Sequence, residues 1–279
     1  MKRYTEEKML YLISLVTTAA ENYVRAAIAN KTVSVVFYEE SIQNHGIFCL
    51  VENSDCIIAF ASFIKYRMSD SLLELIENKI TPYLKATETR EVCFNVNGKN
   101  NEIIEFVREL GFTTDMEGFQ LKYSNNNGVG LSDQQLFLEK GFTPDMLEKF
   151  INLFDRAYYK LNKDNGWRTD SCQIAPEKFL RTFNGYNLEK QVQSFWLSDQ
   201  LVGAYVTKGA YIRDFVIDPK YQNLGYGSII LKSCISRMRL HGMENIYLRV
   251  AKTNIEAKRF YEKNSFIEIS CFAEHTYIS

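Results

Sequence analysis

The run Tyr211-Ile-Arg-Asp-Phe-Val-Ile-Asp-Pro-Lys-Tyr-Gln-Asn-Leu-Gly-Tyr-Gly-Ser-Ile-Ile-Leu231 decides how the rest of the chain is read. It opens with β-branched and aromatic residues suited to a strand, Tyr211 to Ile217. Asp218-Pro219 stops the strand, since proline offers no backbone donor. Gln222-Asn-Leu-Gly225-Tyr-Gly227 then leads into Ser228 and the helically spaced Ile229, Ile230, Leu231, Cys234, Ile235 and Met238. Glycines at the mouth of a helix let backbone N–H groups face a ligand without Cβ obstruction. The first turn of a helix also leaves donors unpaired at the positive end of its dipole. Together they predict an anion site that suits a pyrophosphate. Neither Gly-x-Gly-x-x-Gly nor Gly-x-x-x-x-Gly-Lys-Ser/Thr is present here, which excludes the dinucleotide and Walker loops. The plainer alternative is a glycine loop that merely starts a packed helix.

Gln222-x-x-Gly225-x-Gly227, behind a Val-Ile-Asp-Pro strand exit, resembles the acetyl-CoA signature of the GNAT superfamily of N-acetyltransferases. That resemblance implies a strand edge at Phe215, Val216 and Ile217 that pairs with the pantetheine arm through backbone groups. It implies a pyrophosphate held by Gln222, Asn223, Leu224, Gly225, Tyr226, Gly227 and Ser228. Asn254 matches the family asparagine near the pantetheine, and it equally suits a plain helix N-cap. Tyr261 matches the tyrosine beside the thioester sulfur. A phenol remains protonated at neutral pH and can give a proton to a leaving thiolate; the alternative is a half-buried core tyrosine. An oxyanion-stabilising N–H near Ile217 is a further implication. Acetyl-CoA is the expected cosubstrate, with no metal.

The acceptor amine must lose a proton before attack. Asp214 is the first candidate base, although period-2 alternation sets it opposite Phe215, so a structural salt-bridge or turn role competes. Tyr158, Tyr159, Trp167 and Trp196 fall where relatives build acceptor pockets, with Trp167 the best placed in its polar loop. Aromatics of this kind are more often core.

A length of 279 residues fits about two domains. Hydrophobic residues at 46% and a net charge of −1 describe a globular chain without the basic excess of a nucleic-acid binder. No apolar run reaches the length of a membrane span, and the N-terminus does not read as a signal peptide. Six scattered cysteines without a Cys-x-x-Cys pair, and three isolated histidines, offer no metal spacing. Such cysteines fit a reducing, cytoplasmic setting. The acceptor is expected to be a small-molecule, peptide or protein amine; nothing bears on oligomeric state.

The pattern predicts a helix over 5–29, then β-type runs at 33–38, 46–51 and 56–64, the last two joined by a hairpin turn. A helix from Ser69 or Asp70 to about Leu84 follows, with a kink or stop at Pro82. Strand 91–96, a helix from Asn101 to Leu110 closed by Gly111, and strand 118–123 complete the first half. The polar, glycine-bearing stretch 125–134 reads as a linker between a domain over 1–124 and another over 135–279. In the second domain, helices are expected at 145–159, 176–183 and 255–263, and strands at 136–138, 192–197, 201–207, 246–250 and 266–272.

Val250–Phe266 and Val96–Phe112 share five of seventeen positions at a constant offset of 154. With the matching order of strand, helix and strand, this predicts an internal duplication: two tandem GNAT-like α/β domains, each a mixed, mostly antiparallel sheet flanked by helices. At that offset Gln222 falls on Met68, Gly225 on Ser71, Gly227 on Leu73, Ser228 on Glu74 and Tyr261 on Val107. The first half lacks the glycines and the phenol, and a carboxylate stands where a hydroxyl would face the diphosphate. The expectation is a degenerate N-terminal domain kept as scaffold or as a wall of the acceptor pocket. The chain as a whole reads as an N-acetyltransferase working by direct attack. A different acyl-CoA donor, or a non-catalytic acyl-CoA sensor, stays open.

Overall fold

The computed structural model describes residues 5–41, 45–64, 68–85, 91–125 and 136–277. Helices α1 (Glu6–Ser14) and α2 (Thr18–Ala29) precede strands β1 (Val33–Glu40), β2 (His45–Glu52) and β3 (Cys56–Ile64). Helix α3 (Asp70–Leu84), β4 (Glu91–Asn97), α4 (Asn101–Glu109) and β5 (Thr113–Tyr123) follow. Next come β6 (Leu138–Lys140), α5 (Leu147–Asp164), α6 (Pro176–Leu188), β7 (Val192–Leu197), β8 (Gln200–Lys208) and β9 (Tyr211–Ile217). The chain closes with α7 (Tyr226–Leu240), β10 (Tyr247–Ala251), α8 (Ile255–Lys263) and β11 (Phe266–Tyr277).

The single N-terminal helix expected over 5–29 is two helices. Thr17 stands at φ −155° and accepts a hydrogen bond from the Ala20 N–H, so it caps a new helix instead of continuing the old one. Pro82 falls in the last turn of α3, which ends two residues later. Gly111 adopts φ +94° just beyond α4, the left-handed stop that glycine permits. Strand β5 begins five residues before the expected 118, and α5 and α6 each run five residues past their expected ends. All but residue 125 of the expected linker lies outside the described residues.

Two compact units divide the chain. The first holds Met1–Gln120, Val250–Lys252 and Glu268–Ser279; the second holds Leu121–Arg249 and Thr253–Ile267. In the first unit β1, β2 and β3 are antiparallel neighbours, β4 joins β3 in parallel, and β11 joins β4 antiparallel. Its sheet is covered on both faces. Leu72, Ile76 and Ile80 of α3 and Ile103, Ile104 and Val107 of α4 pack on Phe48, Phe94 and Val96. Met9, Leu10, Ile13 and Val24 of α1 and α2 pack on Ile47, Cys49 and Phe60.

In the second unit β6, β7, β8 and β9 form an antiparallel run, and β10 lies parallel to β9. Phe150, Leu153 and Phe154 of α5 and Phe183 of α6 cover one face at Trp196, Val206 and Val216. Helix α7 lies against β8, with Ile230, Leu231, Cys234 and Ile235 buried. Both units are thus mixed, mostly antiparallel sheets flanked by helices, as the duplication predicts.

Candidate active site

Strand β9 pairs with β8 along its length, but with β10 only through Tyr211↔Tyr247 and Ile212↔Leu248. The Asp218 N–H donates to the Val202 carbonyl on the β8 side. Period-2 alternation therefore turns the amides of Phe215 and Ile217 to the opposite edge, where the register with β10 has already ended. A strand in mid-sheet thus leaves its last residues outside the ladder on that edge, with the Phe215 amide at the Tyr158 hydroxyl. Gln222 turns its side-chain amide back onto the Ile217 carbonyl at 3.0 Å, leaving the Ile217 N–H as the open donor.

Beyond the strand, Asp218 accepts from the Lys220 N–H at 2.9 Å and from the Arg156 guanidinium at 3.0 Å, fixing the turn Pro219–Tyr221. Asn223 then takes φ +61° and Gly225 φ +81°, both in the left-handed region. A chain that alternates this way turns successive N–H groups toward one side, a nest for an anion. Ser228 and Ile229 donate to the Gly225 carbonyl. The N–H groups of Asn223, Leu224, Gly225, Tyr226 and Gly227 have no partner among the described residues. Leu224 is 58% exposed, and a Cβ built at Gly225 meets nothing within 4 Å, so the corner is open rather than plugged by side chains. Gly227 is different: a Cβ there would stand 3.3 Å from the Phe260 ring.

Alternation along β9 is kept. Phe215 faces α8, 5.9 Å from Phe260 and 6.2 Å from Tyr261 between ring centroids. Asp214 faces α5, where the Tyr158 hydroxyl donates to its Oδ1 at 3.0 Å, and Arg213 Nε lies 3.6 Å from its Oδ2. Its side chain is 25% exposed. Burial raises the Asp214 pKa above the usual carboxylate range, with Tyr158 and Arg213 opposing the rise. Burial also pushes the Tyr261 phenol up, helped by the charges of Cys234 and Asp214. Tyr158 is raised well above an ordinary phenol by burial, then by the charges of Asp214 and Tyr261, while the Phe215 amide acts the other way. Tyr261 is 9% exposed, packed on Phe215, Phe260 and Phe266, and its hydroxyl makes no hydrogen bond among the described residues. Asn254 accepts from the Ala257 N–H at 3.2 Å and so caps α8.

From the sequence Tyr158 reads only as an aromatic wall. Its place one helical turn after Phe154 on the apolar face of α5 is the signal that it points inward. No sequence motif marks Asp155, whose carboxylate accepts from the N–H groups of Cys172 and Gln173, both at 3.0 Å, and holds the loop between α5 and α6. Trp196 is core, its Nε1 bonded to Ser194 Oγ. Trp167 and Tyr159 are on the surface.

A mixed sheet whose central strand opens at its end and runs into an amide-lined helix start is the architecture of the GNAT acyltransferase fold. Residues 153–266 match the family described as Acetyltransferase (GNAT) family. A GCN5-related N-acetyltransferase from Sphaerobacter thermophilus is similar over 98% of this chain and 93% of its own, with a TM-score of 0.57 at 11% identity. A Drosophila protein matches over 98% and 95%, with a TM-score of 0.51 at 10% identity. A functionally unknown conserved protein from Staphylococcus epidermidis matches over 86% and 92%, with a TM-score of 0.51 at 14% identity. At these identities the likeness is one of fold. No curated protein sequence matches the chain. No helix among the described residues is long and apolar enough to cross a membrane.

Proposed function

We propose that the second unit is an acetyl-CoA-dependent N-acetyltransferase acting on a primary amine of a small molecule, peptide or protein. The observation that carries this reading is the coincidence of two backbone surfaces: the β9 edge beyond Ile212, and five consecutive amides at the start of α7 without a partner among the described residues. An extended amide-bearing arm suits the first, and a diphosphate suits the second. Acetyl-CoA would supply the acetyl group as an activated thioester.

The chain's own groups then divide the work. Residues Gln222 to Ser228 hold the diphosphate end, through amides more than side chains. Phe215, Val216 and Ile217 align the arm, and the Ile217 N–H faces the thioester oxygen as charge develops there. Asp214, its proton affinity raised by burial, takes the proton from the acceptor ammonium. Tyr261, its phenol kept protonated by burial, gives a proton to the departing thiolate. Asn254 sets the start of α8, which carries Tyr261. The amine attacks directly, without a covalent enzyme intermediate.

The test is calorimetric titration with acetyl-CoA, followed by a broad amine panel with detection of released thiol. One-to-one binding and amine-dependent thiol release are expected. Binding without release from any amine would leave a non-catalytic acyl-CoA sensor. Release with propionyl- or succinyl-CoA in preference would change the donor.

A further inference from the structure

The two units carry the same asparagine at the same helix start, and it does different work in each. Asn100 and Asn254 are equivalent at the offset of 154, and both stand as helix N-caps with nearly the same backbone, φ/ψ −94°/65° and −90°/64°. Asn254 uses its side chain to cap α8. Asn100 leaves α4 without a side-chain cap. Its Oδ1 accepts instead from the Phe63 N–H at 2.9 Å, and its Nδ2 donates to the Phe63 carbonyl at 2.8 Å. Phe63 is the counterpart of Ile217 at the same offset. A side-chain carboxamide thus makes with Phe63 the paired N–H and C=O bonds that an extended ligand's amide would make with an open strand edge.

The strands agree. β3 and β4 stay in parallel register through six pairs, Cys56↔Glu91 to Ala61↔Val96, where β9 and β10 have two. At the start of α3, Ser69 accepts from the Leu72 N–H at 3.3 Å, and Asp70 occupies the first turn. The end that is an open nest in the second unit is here capped and acidic.

We propose that Asn100 is a built-in stand-in for a ligand amide: it closes the strand edge of the first unit, which together with the capped, acidic start of α3 leaves this unit without acyl-CoA, and the chain binds one molecule of it. The count of one rests on the reading of the second unit given above, whereas the Asn100–Phe63 bond does not.

Two measurements separate them. The first is amide hydrogen exchange at Phe63 in the full-length chain and in Asn100→Ala, with Asn100→Gln as a control of altered reach. Wild type should protect the Phe63 amide, and alanine should speed its exchange by about tenfold or more, as loss of a buried hydrogen bond does. An amide equally protected in both would overturn the role of Asn100. The second is acetyl-CoA titration of wild type, Asn100→Ala and Gly227→Glu. One site is expected in the first two, with equal affinity, and none in the third. A binding event that survives Gly227→Glu, or two sites in wild type, would place acyl-CoA in the first unit and overturn the proposal. Absence of binding in wild type would instead sink the reading of the second unit, with the Phe63 exchange result still deciding the role of Asn100.

Discussion

Substitution at Gly227 separates the backbone of the loop from the packing of the helix it starts. An alanine Cβ would stand 3.3 Å from two Phe260 ring carbons, asking a few tenths of an ångström from that ring. Alanine also favours helix over glycine by about 1 kcal/mol. The two effects oppose each other, so the melting temperature should move by no more than about 4 °C. Affinity should behave otherwise. A hydrogen bond to a charged group contributes about 1.5–3 kcal/mol. The alanine Cβ meets the Phe260 ring rather than the open corner; a longer side chain that keeps a diphosphate off two of the five open amides would remove about 3–6 kcal/mol, or roughly a 10²- to 10⁴-fold loss in affinity. Glutamate adds like-charge repulsion of about 1 kcal/mol at about 4 Å in water, and salt screens it. Titration of acetyl-CoA into wild type, Gly227→Ala and Gly227→Glu at two ionic strengths reads each contribution. Dissociation constants within about twofold of wild type in the glutamate variant, at an unchanged melting temperature, would take the diphosphate away from this loop.

Tyr261→Phe keeps the ring contacts with Phe215, Phe260 and Phe266 and removes an unbonded hydroxyl. Turnover should fall while acetyl-CoA affinity holds; equal turnover would return Tyr261 to packing alone. Asp214→Asn tests the buried carboxylate through stability. Because the folded-state pKa lies above the ordinary value, the folded protein holds that proton more tightly than the unfolded chain does. The stabilisation is present in acid and is lost as pH rises through the window between the two values. At neutral pH the ionised carboxylate is a burden, and asparagine can still accept from Tyr158. The variant should melt higher than wild type at neutral pH, with the gap closing in acid; a gap constant with pH would refute the assignment. Asp155→Ala should loosen the loop at Cys172 and Gln173, seen as faster amide exchange at those two residues and not at Ile217.

Periodicity and punctuation made most elements legible. Asp218-Pro219, Gly225 and the apolar face from Ile230 to Met238 place β9, the loop and α7 within about two residues, because local sterics and donor loss act over a few residues. The hairpin of β2 and β3, and α8, were legible for the same reason. The break between α1 and α2 was not: it depends on one threonine choosing to cap instead of continuing a pattern that reads as helix on both sides. Asp214 was legible as a candidate, but its partner Tyr158 lies 56 residues away and depends on how α5 lies on the sheet.

The sequence alone determined that the second half has a strand, a glycine loop and a helix fit for an anion, and that the first half repeats the order without the glycines. Tertiary structure decided which edges are open. Only the register shows β9 leaving β10 after two pairs while β3 holds β4 through six. Only the fold shows Asn100 turned onto Phe63 and Asn254 turned onto its own helix, although both residues share one backbone conformation. It likewise assigns Glu268–Ser279, the last residues of the chain, to the first unit. Strand pairing and side-chain partnership are long-range choices, made by whichever backbone donor or acceptor lies within reach, and no local pattern encodes that reach.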